Sequence, residues 1–147
     1  MIFARRRLLK AIDAERVRQA IQAAERQTSA EIRVSVAQFF WGNVRKVAER
    51  AFGRLGMTAT AQRNGVLFFI VPSRRRLVVL GDQGIHAKVG EELWEKVAAT
   101  VSAEFHEGRF TEGLVKGIET VGRELAAHFP YDAVTDKNEL SDDIDFH

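Results

Sequence analysis

Cysteine is absent from the 147 residues. That gap excludes disulfides, thiol nucleophiles, iron–sulfur clusters and zinc–thiolate sites together, and it suits a reducing compartment. No apolar run nears the roughly 18 residues that a membrane-spanning helix needs. The basic opening Met1-Ile2-Phe3-Ala4-Arg5-Arg6-Arg7 is not followed by an apolar stretch of signal-peptide length. These absences predict a soluble, unexported, cytoplasmic protein. Several motifs are missing too. There is no P-loop, and Gly81-x-x-Gly84 lacks the three glycines of a dinucleotide fingerprint. His86, His106 and His128 have no zinc-ligand spacing. The acidic run after Pro130 has Leu140 where a calcium loop needs an oxygen ligand, and it has no glycine.

What is present is globular. Hydrophobic residues make up 46% and charged residues 29%, and the length suits one domain with a sizeable core. The formal charge of +2 hides an asymmetry: residues 1–76 carry 16 Lys+Arg against 5 Asp+Glu, and residues 77–147 carry 6 against 15. Such halves can form a basic binding face, an acidic tail, or two surfaces that attract each other within the fold.

Hydrophobic spacing sets out the elements. Asp13 suits an N-cap, and Val17, Ala20, Ile21 and Ala24 form a one-faced helical stripe that should end near Thr28-Ser29. Glu31 to Val36 alternates as a strand does. Val44, Val47, Ala48, Ala51, Phe52 and Leu55 mark a second helix closed by Gly56. Residues 66–71 are apolar throughout and too short for a buried helix, so they read as the central strand. Pro72-Ser73 turns the chain into the apolar run 77–80. A link this short forces an antiparallel hairpin. Gly81-Asp82-Gln83-Gly84 is turn chemistry. Leu93, Trp94, Val97, Val101 and Phe105 mark a long helix that stops at Gly108. Leu114, Ile118, Val121 and Leu125 mark another, stopped by Pro130. Gly113 and Gly117, four apart, predict close approach of a neighbouring element.

The predicted fold class is α/β, a small mixed β-sheet flanked by helices in the order α-β-α-β-β-α-α. The strand–helix–strand unit should be parallel and right-handed. Residues 1–11 form a basic N-terminal segment, 12–130 the domain, and 131–147 an acidic tail that is mobile or laid over the basic half.

An ordered set of short motifs carries a resemblance. Thr28-Ser29-Ala30-Glu31-Ile32-Arg33-Val34 resembles the opening strand of the TPM domain family, and Ala48, Phe52 and Leu55-Gly56 resemble its next helix. Asn64-Gly65-Val66-Leu67 is similar to the start of its central strand. Arg75-Arg76-Leu77 into Gly81 and Gly84-Ile85 resembles its hairpin and glycine turn, and Phe105, Gly108-Arg109-Phe110 and Gly113 its helix junction. The resemblance implies a three-layer α/β/α domain and an association with membrane or envelope maintenance. It also implies a phosphatase-like activity in some members and a divalent cation held by acidic side chains. The chain departs from that pattern at the site: Arg63 stands where family members often carry an acid, the glycine turn is one residue longer, and His86 replaces a glutamate.

Topology yields two candidate sites. At one sheet rim the predicted register gathers Ser29, Glu31, Arg63, Asn64, Asp82 and Gln83. As function, Arg63 can hold a phosphate or carboxylate, while Glu31 and Asp82 hold a divalent cation, calcium or magnesium, or position a water. As structure, Arg63 simply pairs with Asp82 or Glu31. The opposite rim gathers Gln38, Phe39, Phe40, Trp41, Arg74, Arg75 and Arg76, beyond the carboxyl ends of the parallel strands, where ligands of open α/β sheets usually bind. Aromatics beside arginines suit stacked bases, the acidic surface of a protein partner, or an anionic membrane. The plain alternative is a core plug beside a charged hairpin that protects a sheet edge. Arg5 to Arg7 followed by Leu8, Leu9 and Ile12 can also touch anionic lipid.

The first functional expectation is therefore a non-enzymatic interaction or adaptor module near the cytoplasmic side of the membrane, with no required cofactor. The second is a cation-assisted phosphatase using Asp82, Glu31 and Arg63. Nucleic-acid binding is disfavoured by the acidic half and by the lack of a known motif.

Overall fold

In the computed structural model, residues 12–132, 140 and 142–146 are described. Their elements follow the hydrophobic spacing. Helix α1 (Ala14–Glu25) is capped by the Asp13 carboxylate, which accepts from the Arg16 amide, and it buries Val17, Ile21 and Ala24. Strand β1 (Glu31–Val36) follows. Asn43 caps α2 (Val44–Arg54) by accepting from the Lys46 amide. Strand β2 (Gly65–Val71) is buried at every residue, as a strand covered on both faces must be. A turn of 3₁₀ helix at Pro72–Arg74 leads into β3 (Arg76–Gly81).

The parallel crossover and the hairpin are both present. Glu31 to Val36 pairs in parallel with Gly65 to Ile70, and Val66 to Val71 pairs antiparallel with Gly81 to Arg76. Two elements were not foreseen. The glycine turn continues into a short helix, α3 (Gln83–Lys88), because Asp82 acts as its N-cap. Near the C-terminus, β4 (Asp145–Phe146) pairs in parallel with Ser35 and Val36, giving the sheet order β3-β2-β1-β4. Helices α4 (Glu91–His106) and α5 (Phe110–Ala126) complete the chain's architecture.

Helices cover both sheet faces, so the domain has three layers. One core joins Ile32, Val34, Phe68 and Ile70 to residues of α1, α4 and α5. The other joins Leu67, Phe69 and Val71 to Val44, Ala48 and Ala51 of α2. Close approach at the glycines is real. A Cβ on Gly117 would lie 2.8 Å from Val101 Cγ2 and 3.1 Å from Phe68 Cε1, and one on Gly113 would lie 2.7 Å from Phe105 Cε1. Small residues here let α5 settle against α4 and the sheet together. Among the described residues, no helix is long and apolar enough to cross a membrane. The basic segment 1–11 lies outside the described residues, as do residues 133–139 of the acidic segment.

Candidate functional site

The first rim is built by the register. Because β1 and β2 run parallel and β3 returns, the starts of β1 and β2 and the exit of β3 share one end of the sheet. Asn64 ties them together: its side-chain amide donates to the Ser29 carbonyl at 3.1 Å, and its own carbonyl accepts the Glu31 amide at 3.1 Å. The Asp82 amide donates to the Gly65 carbonyl at 2.9 Å.

At this rim Arg63 meets Asp82 through two bonds. Nε donates to Oδ2 at 2.6 Å and Nη2 to Oδ1 at 2.9 Å, the planar fork-to-carboxylate geometry that arginine favours. The Asp82 hydrogen bonds push the Arg63 guanidinium above its ordinary range. Asp82 is only 6% exposed in its side chain, and Oδ1 also accepts the Gln83 amide at 2.8 Å. Two structural costs fix this arrangement. Arg63 takes a left-handed backbone with φ of 52°, a conformation that costs a non-glycine residue roughly 1 kcal/mol or more. Gly84 donates to the Arg63 carbonyl at 2.9 Å, and a Cβ there would fall 2.2 Å from the Gln62 carbonyl oxygen. Arg63, Asp82 and Gly84 thus form one locked corner.

Glu31 does not join that corner. Its buried carboxyl hydrogen-bonds Glu25, the last residue of α1. Glu25 Oε2 in turn accepts the Ile32 amide at 3.1 Å. Burial, followed by hydrogen bonding to Asp142, the nearby Asp142 charge and a hydrogen bond to Glu31, pushes the Glu25 carboxyl up to about 10. Glu25 is therefore protonated at neutral pH. It joins α1 to the acidic C-terminal segment, in the parallel register that places Asp145 opposite Ser35.

A hard divalent cation needs several converging oxygens. Here Arg63 covers Asp82, and Glu31 is bound into a different set. Among the described residues, no group of three or more acidic or histidine side chains is arranged to hold a metal. The residues present do not fit a cation shared by Glu31 and Asp82.

The opposite rim is open. Trp41 is 89% exposed and Phe39 51%, and their rings meet edge to face at 5.0 Å. Phe40 turns inward, its ring 6.4 Å from that of Phe69, with the Arg74 guanidinium 5.6 Å above it. Arg74 also donates to the Gly42 carbonyl at 2.8 Å, holding the loop to the hairpin. Arg75 donates to the His106 carbonyl at the end of α4 at 2.6 Å. Arg75 and Arg76 are exposed. A groove of about 480 Å³ at the 37–41 loop is lined by Phe39, Phe40, Trp41, Val47, Arg50 and Phe146. Phe40 is thus the plug that the plain alternative expected, while Phe39 and Trp41 are not used by the core.

Sequence reasoning missed Glu25 and Asp142 as partners. Neither carries a spacing signal: Glu25 is one charged residue at the end of α1, and Asp142 is one of several acids after Pro130. The acidic excess after Pro130 facing a basic half was the available signal.

A family model for the TPM domain matches residues 2–124. The solution structure of the BA42 protein from the psychrophilic bacterium Bizionia argentinensis shares 32% identity, covering 95% of this chain and 94% of that one with a TM-score of 0.87. The N-terminal domain of a P. gingivalis protein shares the fold at 17% identity and a TM-score of 0.64, covering 78% of this chain and 75% of that one. The N-terminal domain of the cg2496 protein from Corynebacterium glutamicum does so at 12% identity and a TM-score of 0.60, covering 90% of this chain and 77% of that one. No curated protein matches the sequence.

Proposed function

The chain belongs to the TPM domain family, and from that premise we propose that it is a non-enzymatic interaction module that docks through its carboxyl-end rim. The observation that carries this reading is the 89% exposure of Trp41 beside a half-exposed Phe39. Large aromatics held out in water gain most when a partner covers them. The rim is also preorganised. Arg74 and Arg75 pin the loop and the hairpin to neighbouring backbone, so docking need not order them first. The reading places the protein on the cytoplasmic side of the membrane, where a basic surface has anionic partners.

The phosphatase alternative needs Asp82 and Glu31 to act together with Arg63. The Arg63–Asp82 pair and the Glu31–Glu25 hydrogen bond each use the oxygens such chemistry requires.

Photo-crosslinking tests the interaction reading. A benzoylphenylalanine placed at Phe39 should form adducts in cells, and one placed at exposed Glu95 of α4 should not. Equal labelling from both positions would refute it. So would hydrolysis of a phosphate monoester by the purified protein, dependent on calcium or magnesium and abolished by Asp82→Asn.

A further inference from the structure

The rim's chemistry names its partner more closely, an inference that rests on the docking reading. The two loops that form the rim, residues 37–43 and 72–76, contain three arginines and no acid. Behind them α2 presents Arg45, Lys46 and Arg50, all exposed. The acid among these, Glu49, lies 3.5 Å from Arg45. Two exposed aromatics therefore stand beside a run of cations, and the acid Asp145, next to the groove residue Phe146, is paired with Arg54.

We propose that this face docks on an anionic lipid surface, with Trp41 and Phe39 entering the headgroup layer and the surrounding arginines facing lipid phosphates. Indole and phenyl rings flanked by arginine and lysine are the composition of interfacial anchors. A fluid headgroup layer also needs no shape complement. That suits aromatics that stand out from the surface better than a protein partner does, since a protein would have to supply a matching pocket.

The test uses the full-length protein with Trp94→Phe, which leaves Trp41 as the reporting tryptophan. It is mixed with vesicles of phosphatidylcholine, or of phosphatidylcholine and phosphatidylglycerol in equal parts. Trp41 emission should shift to the blue only with the anionic vesicles, and brominated acyl chains should quench it. High salt should reverse binding. Each arginine in contact is expected to contribute roughly five-fold to partitioning, so Arg75→Gln with Arg76→Gln should weaken it about 25-fold. Trp41→Ala, read by co-sedimentation with the vesicles, should remove most of the remainder while circular dichroism stays unchanged.

Unchanged Trp41 emission on anionic vesicles overturns the proposal. So does binding that survives the rim variants and disappears only with Arg5, Arg6 and Arg7 changed to glutamine. If vesicles fail but Phe39 crosslinks a protein, the lipid assignment falls and the docking reading stands. If both fail, both fall.

Discussion

Replacing Glu25 by glutamine should make this protein more stable at neutral pH. The carboxyl sits at the end of α1, accepts the Ile32 amide, and is pushed up to about 10 by burial and by the Asp142 and Glu31 carboxyls. The folded chain holds its proton at pH 7, whereas the unfolded chain, at an ordinary value of 4.5, has released it. Folding therefore takes up a proton between pH 4.5 and about 10. Stability must fall as pH rises through that window, because the native state binds more protons than the unfolded one. From 4.5 to neutral is about 2.5 pH units, each worth ~1.4 kcal/mol, which sets a ceiling of about 3 kcal/mol. Glutamine keeps an acceptor for Ile32 and an N–H for Asp142, and it does not titrate. Partial exposure of the side chain reduces the gain, so the expected increase is about 1–3 kcal/mol. Urea unfolding of both proteins from pH 5 to 9 reads it directly. The wild type should lose stability faster with rising pH, and the two curves should draw together toward pH 5. Parallel curves, or a glutamine variant less stable at pH 7, would refute the reasoning.

Other perturbations have equally direct outcomes. Gly117→Val drives methyls into Val101 and Phe68 and should cost about 1–3 kcal/mol in denaturant unfolding through overpacking; an unchanged midpoint would show that α5 has room to move. Asp82→Ala removes the α3 cap and the partner of Arg63, so unfolding should be easier by about 1–2 kcal/mol, the usual cost of a lost cap. Arg54→Ala cuts the pair to Asp145, whose Oδ2 also accepts from Ser35. Amide exchange at Phe146 should then speed up while β2 stays protected; uniform exchange changes would argue against a locally held β4.

Much of the fold is legible because most elements carry their own periodicity. The stripes of α1, α2, α4 and α5 and the apolar runs of β2 and β3 each bury a face that spacing alone reveals. Elements that depend on distant partners are not legible in this way. β4 has two residues, too few for alternation, and it exists because β1 offers an edge 110 residues away. α3 is shorter than one hydrophobic repeat, and its signal was the capping residue Asp82, which reads equally well as part of a turn. The site divides similarly. A hairpin plus a parallel crossover brings Arg63 and Asp82 to one rim by chain geometry. Alternation assigns Glu31 to a sheet face, but it says nothing of a lateral neighbour such as Glu25, which arrives from a helix. Exposure of Trp41 was also not legible, since three consecutive aromatics serve as well for a core as for a surface, and only Phe40 turned inward.

The two-residue strand at the C-terminal end has a consequence out of proportion to its length. Without it, the backbone N–H and C=O groups at the outer side of Ser35 and Val36 would face water in a sheet rich in valine, leucine and phenylalanine. Such an unpaired border invites another chain to add itself. Asp145, clasped by Ser35 and Arg54, brings a carboxylate to that border, so the short ribbon serves as a hem that keeps neighbouring molecules from stitching onto the sheet.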